Sequence, residues 1–348
     1  MNIETNISSS KRPYGSVMLV VRSRDGLIKH WHRQNMHSLT ANFWRILHGA
    51  FNNTSVTVDH INGGTLNYSG LTRMRCISDG SNTTGIVIGS GNTPMELDDR
   101  DLDDRIIHGS DPGELLYQVS NGARDPNNRQ CVFDRVFENA SGGDVTVREA
   151  TLCCSANTGN NNSVVIARDV LDSDVVVADT DILTVTYTME FHHGMYNMQG
   201  WSSEMCDQQH SIREIDGTNF NTDAWKNNIA VVEDFDDVAG IELGTGDDPP
   251  DFDDRNINEI IEDGTGDGEL EKSNAASLSA LDINTTSLSF EVTRRFTNRG
   301  STDIVIVEAG LFGEAGAGAI LDHRLYDSPY TLEPGRSIIA RWAFNYEL

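Results

Sequence analysis

A gapless internal duplication constrains this chain more than any other feature. The segment GIVIGSGNTPMELDDRDLDDRI begins at Gly85, and GIELGTGDDPPDFDDRNINEII begins at Gly240, 155 residues later. Gly85/Gly240, Gly89/Gly244, Gly91/Gly246, Pro94/Pro249, Asp98-Asp99-Arg100/Asp253-Asp254-Arg255 and Gly109/Gly264 all fall in register. A second match follows at a spacing of 159, FENASGGDVTVREATL from Phe137 against FTNRGSTDIVIVEAGL from Phe296. One structural unit is therefore written twice. Two copies of this length are too few and too long for a solenoid.

The unit reads as β. Val185, Tyr187, Met189 and Phe191 alternate with Thr184, Thr186, Thr188 and Glu190, and the second copy answers with Ala340, Trp342, Phe344 and Tyr346. Period-two alternation of branched and aromatic residues marks strands with one face on a core. Short strands punctuated by Gly, Asn and Asp predict an all-β chain of two tandem antiparallel β-sandwich domains. Ahead of the first copy, GSVMLVVRSRDGLIKHWH predicts a hairpin turning at Arg24-Asp25-Gly26. One short amphipathic helix follows, capped by Ser38, with Leu39, Phe43, Ile46, Leu47 and Ala50 on one stripe. The division falls near His192: residues 1–191 hold the hairpin, helix and first repeat, and residues 192–348 the second.

Composition limits the partners. Against 26 basic residues stand 53 acidic ones, for a formal net charge of −27. The acid is 34 Asp to 19 Glu, and only four lysines accompany 22 arginines. Nucleic acid is excluded as a partner because phosphate binding needs a basic face. Such a surface suits brine, where a Debye length of roughly 3 Å at molar salt mutes carboxylate repulsion. No run nears the ~18 apolar residues of a membrane span, so no membrane insertion is expected. The start, MNIETNISSSKRPYG, has no signal-peptide core, which fits assembly in a host cytoplasm. The five cysteines, Cys76, Cys131, Cys153, Cys154 and Cys206, lack C-x-x-C pairs and read as buried thiols.

Motifs for chemistry are sparse, and no catalytic, cofactor or metal residue is assigned. The Gly-rich stretches lack a Walker lysine, so their glycines are expected to permit positive φ in a turn, with Pro94 and Pro249 stiffening the exit. The Asp-Asp-Arg segments are expected to be covering loops whose aspartates cap and whose Leu97/Phe252 and Leu102/Ile257 anchor them. Calcium is the rival reading for Asp263 to Glu269, DGTGDGE, and zinc for the pairs His30/His32 and His192/His193. Glu149 and Glu308 share strand parity with Val145/Val147 and Ile304/Ile306, which points a carboxylate inward. A buried carboxylate needs a partner, and the candidates are Arg135/Arg294 or Arg168/Arg324.

The order G-[IV]-x-[IL]-G-[ST]-G-x-x-P, an Asp-rich segment, F-x-N-x-x-x-x-D-[VI]-x-[VI]-x-E-A-x-L and a final aromatic strand resembles a repeated module in structural proteins of tailed phages and archaeal tailed viruses. The opening strand, turn and helix are similar to those found before that module. The resemblance implies a virion protein without enzymatic activity or cofactor, a capsid decoration, turret, tail or baseplate component, and the acidity suggests a haloarchaeal host. Expected partners are further copies of the chain in a symmetric homo-oligomer and other virion proteins. The helix and Trp201, Trp225 and Trp342 are candidates for apolar contacts between subunits. The alternative is a carbohydrate-binding module for a host cell-surface glycan, which clustered exposed tryptophans would favour. A glycan hydrolase would need two carboxylates roughly 5 to 10 Å apart in one cleft.

Overall fold

Period-two patterning is realised in the long described strands such as Gln130–Glu138, Ile182–Glu190 and Ser337–Glu347. A computed structural model describes all residues except 1, 9–13, 37–38, 70–74, 79, 126–127, 129, 156–162, 191–210, 214–218, 222–230, 232–238, 250–255, 274–275, 314–318 and 348. The fold is all-β, of sandwich type. In chain order the elements are β1 (Asn2–Ser8), β2 (Tyr14–Arg22), β3 (Ile28–Asn35), α1 (Ala41–Phe51), β4 (Ser55–Asp59), β5 (Thr65–Ser69), β6 (Gly85–Gly89), β7 (Leu116–Asp125), β8 (Gln130–Glu138), β9 (Val145–Ser155), β10 (Ser163–Val177) and β11 (Ile182–Glu190). They continue with β12 (Ser211–Arg213), β13 (Asn219–Asn221), β14 (Gly240–Gly244), β15 (Glu271–Lys272), β16 (Ser277–Leu278), β17 (Asp282–Ile283), β18 (Ser287–Thr297), β19 (Ile304–Gly313), β20 (Ala319–Leu332) and β21 (Ser337–Glu347).

Two sets of sheets carry the fold. In the first, β3-β2-β11-β8-β7 packs on β10-β9-β6; in the second, β1-β21-β18-β15 packs on β14-β19-β20. The antiparallel pairings β6/β9, β9/β10, β8/β11 and β7/β8 recur as β14/β19, β19/β20, β18/β21 and β15/β18. The flanking strand differs. β2 lies antiparallel beside β11, whereas β1 lies parallel beside β21, so residues 2–8 complete a sheet made from the end of the chain.

Alternation decides what is inside. Cys131, Phe133 and Phe137 on β8 and Leu183, Val185, Tyr187 and Met189 on β11 are buried, while their sequence neighbours other than Arg135 on these strands are partly exposed. In the second set Leu288, Phe290, Val292, Phe296, Ala340, Trp342, Phe344 and Tyr346 do the same. Each large side chain so buried contributes about 1.5–3 kcal/mol. Phe191 lies outside the described residues. Cys76, Cys131, Cys153 and Cys154 are buried thiols outside any disulfide, and burial pushes that of Cys153 up to about 12. Cys206 lies outside the described residues.

The hairpin forms as expected, with β2 and β3 antiparallel and Gly26 at φ 89° in the turn. The helix starts later than its stripe implies, at Ala41, with Thr40 at the N-cap. The Thr40 hydroxyl donates to the Val165 carbonyl at 2.7 Å and caps nothing; Ser38 lies outside the described residues. The larger correction concerns what α1 packs on. Phe51 meets Phe290 and Phe344, Trp44 meets Tyr346, and the Leu39 N–H donates to the Tyr346 hydroxyl at 3.1 Å. The other side of the helix packs on β4, β5 and β10. α1 thus joins the two sets of sheets within one chain, and Trp342 is fully buried. Neither is available to a neighbouring subunit; Trp201 and Trp225 lie outside the described residues. Among the described residues no helix is long and apolar enough to cross a membrane.

Candidate functional site

The polar groups most deeply built into both copies are the two strand glutamates. Val145, Val147 and Glu149 share one face of β9, and the inward alternation carries the carboxylate to full burial. An uncompensated buried carboxylate costs several kcal/mol, so its donors must be accounted for. Glu149 Oε1 accepts from the N–H groups of Gly91 and Asp104, each at 3.1 Å, and Oε2 from that of Asp103 at 3.2 Å. Arg168 supplies the counter-charge, with Nε at 3.1 Å and Nη2 at 2.8 Å from Oε2. The guanidinium also reaches Asp99 at 2.7 Å, Asp103 at 3.2 Å and the Thr93 carbonyl at 3.2 Å. Burial opposes ionisation of Asp103, but the hydrogen bonds from Thr93 and the Arg168 charge outweigh it and hold the carboxyl below its ordinary value. One glutamate and one arginine thereby clasp the loop from Gly91 to Asp104 onto the sheet.

The second copy repeats the clasp atom for atom on the loop side. Glu308 Oε1 accepts from Gly246 and Glu259 N–H, and Oε2 from Asn258 N–H, all at 3.0 Å. The side-chain partner differs from the expected Arg324: His323, fully buried, places Nε2 2.9 Å from Oε2. Register explains the difference. Arg168 sits opposite Thr151, and the residue opposite its counterpart Gly310 is His323. Arg324 lies one step along, opposite Ala309, where alternation turns it to the other face. Burial raises the cost of the Glu308 charge, but the His323 bond and the Glu259 and Asn258 N–H groups outweigh it and hold the carboxyl below its ordinary value.

The paired glycines serve close approach, not positive φ as the turn reading has it. A Cβ on Gly89 would lie 2.5 Å from Oε1 of Glu149, and one on Gly246 2.6 Å from Oε1 of Glu308. Gly89/Gly244 and Gly91/Gly246 are outside the left-handed region, which among the repeated glycines is occupied by Gly85/Gly240, at φ 81° and 98°, and Gly113/Gly268, at φ 87° and 85°. Leu97, Leu102 and Ile257 are buried under their loops as anchors, and Asp99 accepts from the Glu96 N–H at 2.9 Å as a cap. Phe252 and the second Asp-Asp-Arg triplet lie outside the described residues.

Comparison of the chain with family models, curated proteins and solved structures gave no match. What the site does must be argued from its own geometry.

Arg135 and Arg294 do not meet the glutamates. Both cross the sandwich to backbone carbonyls, Arg135 to Thr84 at 2.9 Å and Ile86 at 3.0 Å, Arg294 to Ala239 at 2.9 Å and Ile241 at 3.4 Å. In the second copy Arg294 also pairs with buried Glu242 at 2.8 Å, and Lys272 Nζ approaches the same carboxylate at 2.5 Å. Burial pushes the Glu242 carboxyl above its ordinary value in spite of the two cations. Asn139 and Asn298 are a third repeated device, missed by sequence reading although both stand in the matched F-x-N. Each is fully buried and donates to two carbonyls, Gly143 and Val177 or Thr302 and Leu332, all at 2.7–2.8 Å.

The remaining candidates are dispersed. Asp263 accepts from the Lys272 N–H, Asp267 from Ser301 and Glu269 from the Gly266 N–H, so the three carboxylates of DGTGDGE are turned to separate backbone partners. His30 is exposed, and His32 bonds Gln34 at 2.9 Å and Ser173 at 3.2 Å. Among the described residues no three His, Cys, Asp or Glu side chains are grouped to hold a metal. His192 and His193 lie outside the described residues.

Proposed function

We propose that this chain is a non-enzymatic structural component of a tailed virus particle, built as two tandem sandwiches and working as a symmetric homo-oligomer among other virion proteins. The observation that carries the reading is the burial of Glu149 and Glu308. Each of these repeated carboxylates is saturated by three backbone N–H groups and one side chain, and a group with no exposed surface holds loops instead of reaching substrate. The same residues carry the resemblance to tailed-virus structural modules, which supports the virion half of the proposal. The apolar surface for self-association is the tip and edge of the β2–β3 hairpin, where Leu27, Ile28 and Trp31 are 67%, 56% and 58% exposed. An edge strand with such residues offers unpaired backbone groups and apolar area together.

Negative-stain imaging and mass photometry in about 2 M salt test the proposal, because that salt screens the −27 charge. A ring or turret of defined symmetry is the expected result, reduced to smaller species by Leu27→Asp with Trp31→Ala. A lasting monomer that hydrolyses a glycan would overturn it. Of the described tryptophans only Trp31 is exposed, Trp44 and Trp342 being buried, so a clustered-tryptophan glycan face is not built from these three.

A further inference from the structure

The outer face of the second set of sheets carries a cleft of about 470 Å³, lined in part by Arg295, Arg299, Ser273, Thr297 and Ser337. Its chemistry is unlike that of the molecule around it. In a chain of net charge −27, two guanidinium groups, Lys272 and three hydroxyls share one concavity with a single carboxylate, that of Glu271. Arg295 makes one side-chain hydrogen bond, to Ser337 Oγ at 3.3 Å, and among the described residues it meets no carboxylate. Ser337 in turn lies 2.9 Å from Thr297 Oγ1, and Ser273 Oγ accepts from the Arg295 backbone N–H at 3.2 Å. Arg299 is steadied by Glu271 at 2.8 Å, which leaves its other N–H groups facing outward. Lys272, at the floor, is turned inward to Glu242.

The duplicated fold supplies an internal control. Thr297 and Ser337 are directly opposed, as are Glu138 and Ile182 in the first copy. At the spacing of 159, Arg295 and Arg299 correspond to Val136 and Ala140. The same strands therefore form without cations or hydroxyls at these positions, so the fold does not require the cluster. The residues that the fold does require, the clasp glutamates and the two asparagines, are kept in both copies.

We infer that this cleft binds an oxyanion carried on a sugar, a carboxylate or sulfate group held by Arg295 and Arg299 with the ring hydroxyls on Ser273, Thr297 and Ser337. Arginine suits the anion because its planar fork matches two oxygens at once. The hydroxyls suit a polar ring, and the volume lies within the few hundred Å³ typical of small-molecule sites. The inference does not depend on the virion reading.

Calorimetric titration of the whole chain in high-chloride buffer tests it, with oligogalacturonate and sulfated dextran oligosaccharide as the two anionic probes and neutral dextran as control. Binding of at least one anionic probe, with neutral dextran silent, is expected. Which probe binds separates carboxylate from sulfate ester. Arg295→Val and Arg299→Ala, the residues of the first copy, should each weaken binding on the order of tenfold with unchanged thermal unfolding, and Arg295→Lys should lie between. If Arg295→Val fails to fold, Arg295→Lys and competition by inorganic sulfate carry the test. No binding of either acidic sugar, equal binding of neutral dextran, or binding indifferent to Arg295 overturns the inference.

Discussion

Arg168 and His323 occupy the same place in the two clasps, yet one brings five N–H donors and a permanent charge and the other at most two ring nitrogens. The loop side of the clasp is unchanged, since three backbone N–H groups meet the carboxylate in both copies. What the fold demands is therefore the glutamate and a donor to its Oε2. The guanidinium does more, tying Asp99, Asp103 and the Thr93 carbonyl into the same knot. The first Asp-rich segment is cross-linked from one side chain.

That difference predicts unequal losses. Arg168→Ala removes the counter-charge of buried Glu149 together with the ties to Asp99, Asp103 and the Thr93 carbonyl, and should cost about 3–5 kcal/mol. His323→Ala leaves Glu308 its three N–H donors and should cost about 1–3 kcal/mol, the scale of an unsatisfied buried partner. Denaturant unfolding in high salt measures both, and amide exchange at Gly91, Asp103 and Asp104 against Gly246, Asn258 and Glu259 shows which loop opens. Equal losses would mean that the extra aspartate contacts of Arg168 contribute nothing.

Next in size are the glycines of the clasp. Gly89→Ala and Gly244→Ala both push a methyl group into a glutamate carboxylate, and each should cost about 1–3 kcal/mol as overpacking. A larger loss at Gly89 is expected, because Arg168 fixes Glu149 more firmly than the imidazole fixes Glu308. Were these glycines present for positive φ, as the sequence alone implies, the two sites would respond alike.

Strand identity and the inward face were legible because alternation is local: Val185, Tyr187 and Met189 announce their own burial, and so does Trp342. The clasp glutamates were legible for the same reason, through parity with Val145 and Val147. Their partners were not. Choosing His323 over Arg324 requires the register of β20 on β19, which shifts twice, between Ile306 and Glu308 and between Leu311 and Phe312, and no local pattern records those shifts. The role of α1 was hidden too. A helix with one apolar stripe is read as covering one surface, but Phe51 and Trp44 reach the aromatic rings of Phe344 and Tyr346 at the far end of the sequence.

Acid should act on the two buried glutamates of the second copy with opposite sign. Glu308 is held below its ordinary value of 4.5, so its stabilisation is complete above that pH and is lost as pH falls through the lower folded value. Glu242 is raised above 4.5, so its contribution is present below that pH and is lost as pH rises through the folded value. Unfolding followed from pH 7 to pH 3 should show the Glu308 loss sharpened in Glu242→Gln, where the opposing slope is gone. An unchanged pH profile in that variant would place the Glu242 charge outside the stability balance.

The smallest effect is expected from a double exchange. Glu242 and Lys272 stand where the first copy has Val87 and Tyr117, whose hydroxyl donates to the Ile106 carbonyl at 2.6 Å. Glu242→Val alone leaves Lys272 without its carboxylate, although Arg294 keeps the Ala239 and Ile241 carbonyls, and a loss of about 1–3 kcal/mol follows. Adding Lys272→Tyr removes the stranded ammonium and restores the apolar solution already used once in this chain. Replacing a buried ion pair by packed residues of similar volume is often neutral, so the double variant should fall within about 1 kcal/mol of the parent. Coupling between the two substitutions, read from a double-mutant cycle, separates the outcomes. Strictly additive losses would mean that the two copies, despite matching strands, pack around that position in different ways.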